Sequence, residues 1–161
     1  MNIKKTANLL INFTIKRLAE IFGLFVFGAG VLLLIALLSY SPEDPNFIFP
    51  DNMEIKNILG FQGSFISDLF FQSLGLISFM LAFTLIFTGI SIFRIKEFFL
   101  IIENIFFSVI YSIFGSLFLS HYYSNAFDLY INGNGGFVGN YLDKTFLNSL
   151  ILFNETIFYY T

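Results

Sequence analysis

Three long stretches without acidic or basic side chains (a single histidine apart) constrain this chain more than any other feature. They cover residues 21–40, 69–93 and 104–127. A helix needs about 20 mostly apolar residues to cross the hydrocarbon core of a bilayer. We therefore predict an all-α integral membrane protein whose first three spans are residues 21–40, 69–93 and 104–121.

The composition excludes most soluble folds and several kinds of site. Charged residues make up 12% of the chain, about half of the roughly 25% found in soluble domains. The chain has no cysteine, which removes disulfides, thiol nucleophiles and cysteine-based metal sites. A net charge of -3 argues against a nucleic-acid-binding surface, which is normally basic.

The last apolar stretch differs from the other three. Residues 146–161 are apolar but short, and Asn148, Asn154 and Glu155 interrupt them. A carboxylate at the middle of the membrane is costly, so we place Glu155 at the interface. We predict that residues 156–161 begin a fourth, truncated span; a complete but short span from Phe146 is the alternative.

The distribution of lysine and arginine predicts the orientation, since cytoplasmic segments are enriched in both. The N-terminal segment 1–20 and the turn 94–103 hold six of the eight basic residues, whereas segments 41–68 and 122–155 hold one each. We predict that 1–20 and 94–103 are cytoplasmic and that 41–68 and 122–155 are periplasmic loops.

The two periplasmic loops share a pattern that suggests a tandem repeat, although a short match also arises by chance. Each has Gly-Phe-x-Gly, at residues 60–63 and 136–139, followed by an aspartate, Asp68 or Asp143. The apolar spacing in each loop predicts a short interfacial helix, within 58–74 and 137–150. We expect the first helix to lie on the outer leaflet and the second to turn its apolar residues inward, namely Val138, Tyr141, Leu142, Phe146 and Leu150. The polar face of the first comprises Gln62, Ser64, Ser67 and Asp68.

The sequence offers little catalytic chemistry. It lacks the phosphate-binding pattern G-x-x-x-x-G-K-[ST], and its one histidine, His121, fits an aromatic belt beside two tyrosines. The run Asn-Gly-Asn-Gly-Gly at 132–136 is best interpreted as a flexible turn. We predict no catalytic, metal or cofactor site in this chain.

One stripe of small residues predicts close helix packing. Serine recurs every fourth residue along the third span, at Ser108, Ser112, Ser116 and Ser120. Small residues let helices approach closely in lipid, so we expect this face to contact another span or a neighbouring subunit. The alternative is that each hydroxyl bonds the backbone of its own helix.

The motifs together resemble the N-terminal membrane region of the FtsK/SpoIIIE family of DNA translocases. Residues 39–45 read S-Y-S-P-E-D-P, and residues 57–69 fit an Asn-x-x-Gly-x-x-Gly pattern followed by Asp-Leu. A Gly-Gly-x-x-Gly element follows at 135–139. The resemblance marks these positions as structural turns of the external loops: Pro42, Asp44, Pro45, Gly60, Gly63, Asp68, Gly135, Gly136 and Gly139.

The resemblance implies a four-span region of the bacterial inner membrane with both termini cytoplasmic. In that family a cytoplasmic motor, absent from this chain, uses ATP and Mg²⁺ to pump DNA during cell division and chromosome segregation. The membrane region would tether the motor, contact other cell-division membrane proteins, oligomerise through the parent protein and make no direct DNA contact. A stand-alone multi-pass protein, such as a transporter or channel accessory subunit, is the competing hypothesis.

Overall fold

The computed structural model describes residues 3–45, 54–123 and 132–150. The predicted start of the fourth span, 156–161, lies outside these residues. The described residues form helices, turns and irregular connections, without strands. The helices are α1 (Ile3–Leu38), α2 (Gly60–Leu74), α3 (Ser78–Ile95), α4 (Phe99–Tyr123) and α5 (Gly136–Leu142).

Among the described residues, three helical stretches are long and apolar enough to cross a membrane: Asn8–Leu38, Gly60–Ile95 and Phe99–Tyr123. This confirms the prediction of an all-α membrane region. The first stretch begins earlier than the predicted span at 21–40, because residues 8–15 are also apolar and no glycine or proline precedes Gly23. The predicted cytoplasmic segment 1–20 is therefore largely helical and continuous with α1.

A break at Gly75 divides the predicted second span, 69–93, between two helices. Gly75 has a φ of 63°, a conformation that glycine adopts without steric cost, and a 3₁₀ turn over Gly75–Ile77 leads into α3. The hydroxyl of Ser78 donates to the carbonyl oxygen of Phe70 at 2.9 Å. This bond joins the start of α3 to the last turn of α2.

Helices α1 and α3 form an antiparallel pair with coiled-coil spacing. The residues of α1 that face α3 recur at alternating intervals of four and three, and so do those of α3. They are Ala19, Gly23, Val26, Gly30, Leu33 and Leu37 on α1, and Ser78, Ala82, Leu85, Gly89 and Ile92 on α3. This is the repeat that keeps one seam of each helix against its partner.

Glycines bring the two backbones into direct contact. A methyl group added to Gly89 would lie 2.7 Å from the carbonyl oxygen of Gly23, and one added to Gly30 would lie 2.7 Å from the backbone nitrogen of Ile86. Such close approach is the usual reason for small residues at helix interfaces in lipid.

An ion-pair network closes the end of this helix pair. Lys96 has a φ of 66° and ends α3, and its Nζ lies 2.7 Å from Oε1 of Glu20 on α1. Arg17 approaches the other carboxylate oxygen of Glu20 at 2.6 Å. Charged residues of the N-terminal segment and of the turn after α3 therefore form one cluster.

Helix α4 returns antiparallel to α3 and is less covered than the other two spans. The hydroxyls of Thr84 and Tyr111 form a hydrogen bond of 2.7 Å between α3 and α4. Gly115 of α4 lies against the side chain of Ile77. Large side chains on the other faces of α4, including Phe106 and Phe114, are exposed and thus available to lipid.

The hydrophobic core lies where α2 packs against α1 and α3. Phe71 is buried among Leu33, Leu37 and Ala82, and its ring contacts the ring of Tyr40 with centroids 4.8 Å apart. In lipid, such burial stabilises the fold through close van der Waals packing. The core thus fixes α2 against the spans.

The polar side of α2 faces the protein. Ser64, Ser67 and Asp68 are buried, whereas Phe61 and Leu69 are half exposed. In a membrane, polar groups gain by finding partners inside the protein, and apolar groups lose nothing by facing lipid.

In residues 137–150 the apolar side chains were expected inward, and the structure differs. Phe137, Tyr141, Phe146 and Leu150 are about half exposed, and the glycines of α5 are buried instead.

Candidate functional site: the loop cap

The predicted turn residues gather at one end of the structure, where α1 and α4 end and α3 begins. We call this assembly the loop cap and define it as residues 39–45, 54–68, 75–77 and 132–135 together with α5. The cap contains few apolar contacts and many hydrogen bonds from side chain to backbone. Its geometry shows why its glycines, asparagines and aspartates are needed.

Asp44 holds the two ends of the first loop together. Its carboxylate is 3% exposed and accepts hydrogen bonds from the backbone N–H groups of Lys56 and Asn57, both at 2.8 Å. Hydrogen bonds to a carboxylate are stronger than neutral ones. The adjacent Pro45 is buried while Pro42 is exposed, and the Pro45 carbonyl accepts a bond from the hydroxyl of Ser64 at 3.0 Å.

Asn57 connects the first loop to the end of the first span. Its amide donates to the carbonyl oxygen of Ala36 at 2.9 Å, one of the last carbonyls of α1, which have no partner within the helix. Its side-chain oxygen accepts the N–H of Leu59 at 3.1 Å and occupies the space that a side chain at Gly63 would need. Position 63 therefore has room only for glycine, because the side chain of Asn57 fills the adjacent space.

Asp68 connects α2 to the same end of α1. The hydroxyl of Tyr40 donates to its Oδ1 at 3.2 Å, and the amide of Gln72 approaches the same oxygen at 3.5 Å. Asp68 is 8% exposed, so its carboxylate is an internal hydrogen-bond acceptor instead of a charged surface group.

The second loop is fastened to the break between α2 and α3. The N–H of Leu76 donates to the carbonyl oxygen of Asn134 at 2.9 Å. Gly75 and Gly136 both have a φ of 63°, and a methyl group on Gly136 would lie 2.6 Å from the backbone nitrogen of Gly75. The turns of the two loops thus interlock through backbone atoms, a contact that only glycine permits.

Part of the serine stripe forms the surface on which α5 packs. Gly135 and Gly139 lie directly against the Ser116 carbonyl and the Ser120 hydroxyl. Ser112, Ser116 and Ser120 are at most 5% exposed. Ser116 and Ser120 thus contact the second loop and α5, elements that were not predicted as the contact.

The hydroxyls of Ser108 and Ser116 have different partners. Ser116 donates to the carbonyl oxygen of Leu74 at 3.0 Å, so it also supports the break after α2. Ser108 is only partly buried and donates to the Ile105 carbonyl of its own helix at 2.8 Å, as in the alternative interpretation. The structure thus separates Ser108 from Ser116 and Ser120, which contact the loop cap.

The two loops repeat the same backbone design. Gly60 and Gly136, with φ of 67° and 63°, each lie at the start of a helix, α2 or α5. Gly63 and Gly139, three residues further on, are buried against polar atoms of the preceding segment. The phenylalanine after each first glycine, Phe61 or Phe137, is exposed.

The polar contacts of the loops also correspond. Asn134 donates to the carbonyl oxygen of Tyr123, as Asn57 does to a carbonyl near the end of α1. Asp143 pairs with His121 near the end of α4 at 2.8 Å, as Asp68 pairs with Tyr40. Both loops therefore attach to the end of the span before them through one asparagine and one aspartate.

The exposed charges of the cap are paired at one point. Glu43 and Lys56 form an ion pair on the surface of the first loop. The hydrogen bond from Lys56 lowers the pKa of Glu43, and the same contact raises the pKa of Lys56. Both groups are fully exposed, so solvent screens the pair.

The cap has the chemistry of a structural element. Its aspartates and asparagines bind backbone groups or neighbouring side chains, so these side chains are occupied by the fold itself. Within the ranges that the structure describes, no three histidine or acidic side chains cluster as metal ligands would.

Sequence reasoning missed two sets of residues. Asn57 and Asn134 were not named as site residues, although an asparagine before a glycine turn, just after a span, was the available signal. Gly23, Gly30 and Gly89 were also missed, although the alternating spacing of small residues on α1 and α3 would have indicated the helix pair.

The fold and the cap define a class: a polytopic α-helical membrane region with two interlocked, asparagine- and glycine-dependent loops at one end. Residues 15–159 match the model of the 4TM region of DNA translocase FtsK/SpoIIIE. The chain therefore belongs to this family, as the motifs predicted.

One curated relative has the same family name. The chain is similar to the DNA translocase FtsK of Rhizobium meliloti (strain 1021), with 33% identity over 69 residues. That stretch covers 43% of this chain and 8% of the relative. No solved structure matches the chain significantly.

Proposed function

We propose that this chain is the membrane-anchoring and division-protein-contacting region of an ATP-dependent DNA translocase that acts in cell division and chromosome segregation. The observation that carries the proposal is the family match over residues 15–159. The anchoring part rests on the three membrane-crossing stretches. In this proposal ATP and Mg²⁺ act only in the motor, and the chain makes no direct DNA contact.

The proposed orientation places the N-terminus in the cytoplasm of a bacterial cell and the loop cap outside the inner membrane. Six of the eight basic residues lie in the N-terminal segment or near the turn between α3 and α4, whereas eight of the eleven acidic residues lie in the two loops or beyond them. This asymmetry supports the orientation through the preference of lysine and arginine for the cytoplasmic side.

The loop cap is the proposed contact site for other cell-division membrane proteins. Its internal hydrogen bonds fix the exposed side chains, including Phe61 and Phe137, in defined positions, and a preorganised surface loses less entropy on binding. In this proposal the chain forms homo-oligomers through the parent protein.

Replacing this region in a full-length translocase tests the proposal. In cells, the motor is fused either to this chain or to an unrelated four-span anchor, and its position is followed by fluorescence. A tether that also contacts division proteins should concentrate at the division site only with this chain. Equal localisation at the division site with both anchors would show that the chain only tethers the motor. A motor that stays soluble when fused to this chain would contradict membrane anchoring.

A further inference from the structure

Helix α1 is much longer than α3, the helix with which it pairs. At 1.5 Å per residue, α1 (Ile3–Leu38) is about 54 Å long and α3 (Ser78–Ile95) is about 27 Å long. Among residues 8–38, Ala19 is the first that is buried, and the next residue, Glu20, pairs with Lys96 at the end of α3. Residues 3–18 therefore project beyond α3 by about 24 Å, and we call them the N-terminal extension.

The Glu20–Lys96 pair marks the level of one membrane surface. From Glu20 to Leu38, α1 rises about 27 Å, close to the roughly 30 Å of the hydrocarbon core, and charged side chains are costly deeper in that core. The apolar stretch Asn8–Leu38 is about 46 Å long. Its excess length lies in the extension, which is thus at or beyond the membrane surface.

The extension carries large apolar side chains that no described residue covers. All side chains from residue 8 to residue 18 are exposed, among them Leu10, Ile11 and Leu18 at 63%, 55% and 54%. These three lie within an arc of about 100° on the helix, and Asn12 and Lys16 lie opposite. Apolar side chains in this arrangement are unfavourable in water, so the apolar side needs a cover.

The segments outside the described ranges attach at the loop cap, too far away to supply that cover. Residues 46–53 and 124–131 each leave the cap and return to it, so even when extended they reach about 15 Å. Asp143 lies at the cap, where it pairs with His121. A segment that crosses the hydrocarbon core must be helical, and a helix from Asp143 to Thr161 would rise only about 27 Å, the length of the spans. The cover must come from another molecule.

The charge of the extension favours an anionic surface as that cover. The extension contains Lys4, Lys5, Lys16 and Arg17 and no acidic residue, and anionic phospholipids attract basic segments next to a span. A second copy that crosses the membrane in the same direction would place the same four charges at the same height. Such a juxtaposition of like charges is costly, whereas the bilayer surface is adjacent and complementary.

Nothing in the described structure fixes the direction of the extension. Residues 8–16 make no hydrogen bond or ion pair to another described element; the hydroxyl of Thr14 donates to the carbonyl oxygen of Leu10, in the same helix, at 3.0 Å. A side-chain bond of this kind often bends a helix. A bend near Thr14 leaves the Glu20–Lys96 pair intact and brings the extension toward the bilayer.

We propose that the N-terminal extension of α1 lies on the bilayer surface and binds anionic phospholipid. The side that contains Leu10, Ile11 and Leu18 enters the boundary of the acyl chains, and the headgroup phosphates balance the positive charge of the extension. The leaflet is the one beside the Glu20–Lys96 pair, which is the cytoplasmic leaflet in the orientation proposed above. The contact is a charge-dependent attachment to the membrane in addition to the spans.

Tryptophan fluorescence tests the proposal, since the chain contains no tryptophan of its own. Leu10→Trp reports from the extension, and Phe87→Trp reports from within the α3 span. Each variant of the whole chain is reconstituted into vesicles that contain a constant share of phosphatidylcholine brominated on its acyl chains and a rising share of phosphatidylglycerol. Quenching of Leu10→Trp should increase with phosphatidylglycerol and reverse in high salt, whereas quenching of Phe87→Trp should stay constant.

Two charge variants in the Leu10→Trp background identify the residues responsible. Lys5→Gln with Lys16→Gln removes two charges from the extension, and Lys56→Gln with Lys144→Gln is the matched control, which removes two charges from the loops at the other end. Each basic residue near an anionic surface contributes about fivefold to binding, so the phosphatidylglycerol share that gives half-maximal quenching should rise by roughly twofold or more in the first variant only. Equal curves for the two variants would contradict a role for the charge of the extension.

The same samples show whether water or protein surrounds the extension instead. If acrylamide, a quencher dissolved in the water, reached Leu10→Trp equally at every phosphatidylglycerol share, the extension would be in solution and the proposal would be wrong. Protection of Leu10→Trp from both acrylamide and brominated lipid would show that a second copy covers it, which also overturns the proposal. The measurement needs no motor and no division protein, so its failure would leave the proposed function unaffected.

Discussion

At the residue scale, single polar side chains determine how the loops attach to the spans. Asn57 alone contacts the end of α1, the start of α2 and the space beside Gly63. Removing one partner of a buried hydrogen bond leaves the other partner unsatisfied, which costs more than the bond itself contributes. Replacing one asparagine or aspartate of the cap should therefore lower the stability by more than the loss of a single hydrogen bond.

Replacing Asn57 with leucine should lower the free energy of unfolding by about 2–4 kcal/mol, because the substitution leaves buried groups unpaired. The measurement is an SDS titration in mixed micelles followed by circular dichroism. Asn148→Leu is the control, since Asn148 is exposed and bonds only a carbonyl of its own helix, at 3.3 Å. Equal losses in the two variants would contradict the role assigned to Asn57.

The Glu43–Lys56 pair predicts a small pH dependence with a defined sign. Because Lys56 lowers the pKa of Glu43 in the folded state, the pair stabilises the fold above the ordinary glutamate pKa. That contribution is lost as the pH falls through the lowered pKa. NMR titration of the carboxyl carbon should show the Glu43 pKa rising in Lys56→Gln; an unchanged pKa would show that the pair does not form in solution.

At the element scale, the helix pair α1–α3 depends on glycine, and the cap depends on α5. The backbone contact between Gly23 and Gly89 leaves no room for a side chain. Gly135 and Gly139 likewise leave no room between α5 and the serine stripe. Each interface therefore tolerates almost no increase in volume.

Gly89→Ala should destabilise the chain by about 1–3 kcal/mol, as expected for overpacking, whereas Gly28→Ala should be neutral or stabilising by up to about 1 kcal/mol from helix propensity. The added methyl group of the first variant meets backbone atoms of α1, and that of the second meets none. The same SDS titration measures both. A loss of stability in Gly28→Ala, or none in Gly89→Ala, would contradict the packing.

Ser116→Leu should detach α5 from α4, because Ser116 is fully buried under Gly135 and Gly139. Hydrogen exchange at residues 135–142 should then become at least tenfold faster, with little change in α1 and α3. Ser108→Leu provides the comparison, since Ser108 is only partly buried and should leave the exchange rates unchanged. Unaltered exchange in Ser116→Leu would show that α5 is held elsewhere.

The helices could largely be predicted from the sequence, but which side of each helix packs against the protein could not. Long uncharged stretches specify spans through a strong and simple requirement for apolar length. The apolar residues of segment 137–150 were expected inward, as they are in helices of soluble proteins. Lipid removes that driving force, so the buried residues of α5 are Gly136 and Gly139, and those of α2 include Ser64 and Ser67.

The turn residues of the candidate site were predicted, but the contacts that bring the two loops together were not. The glycines of both loops were named, since positive φ values and turns have a local signature. The contact of Gly136 with Gly75 joins segments about 60 residues apart, and no local pattern encodes it. The sequence showed the repeat only as a weak match. The hydrogen bonds of Asn57 and Asn134 show that both loops attach to the preceding span in the same way.

At the scale of the whole molecule, the chain has two chemically different ends. One end carries the Arg17–Glu20–Lys96 network, and the other carries the acidic loops and the loop cap. In the proposed function, the first end is the motor side and the second is the side that contacts division proteins. The direction in which the chain crosses the bilayer is therefore the central prediction.

Reporter fusions measure that direction most directly. Alkaline phosphatase, which is active only outside the cytoplasm, is fused after Asp51 in the first loop or after Lys96 in the turn between α3 and α4. We expect high activity from the fusion after Asp51 and little from the fusion after Lys96, at equal expression. High activity after Lys96 with little after Asp51 would reverse the topology and contradict a tether whose loop cap lies outside the cytoplasm.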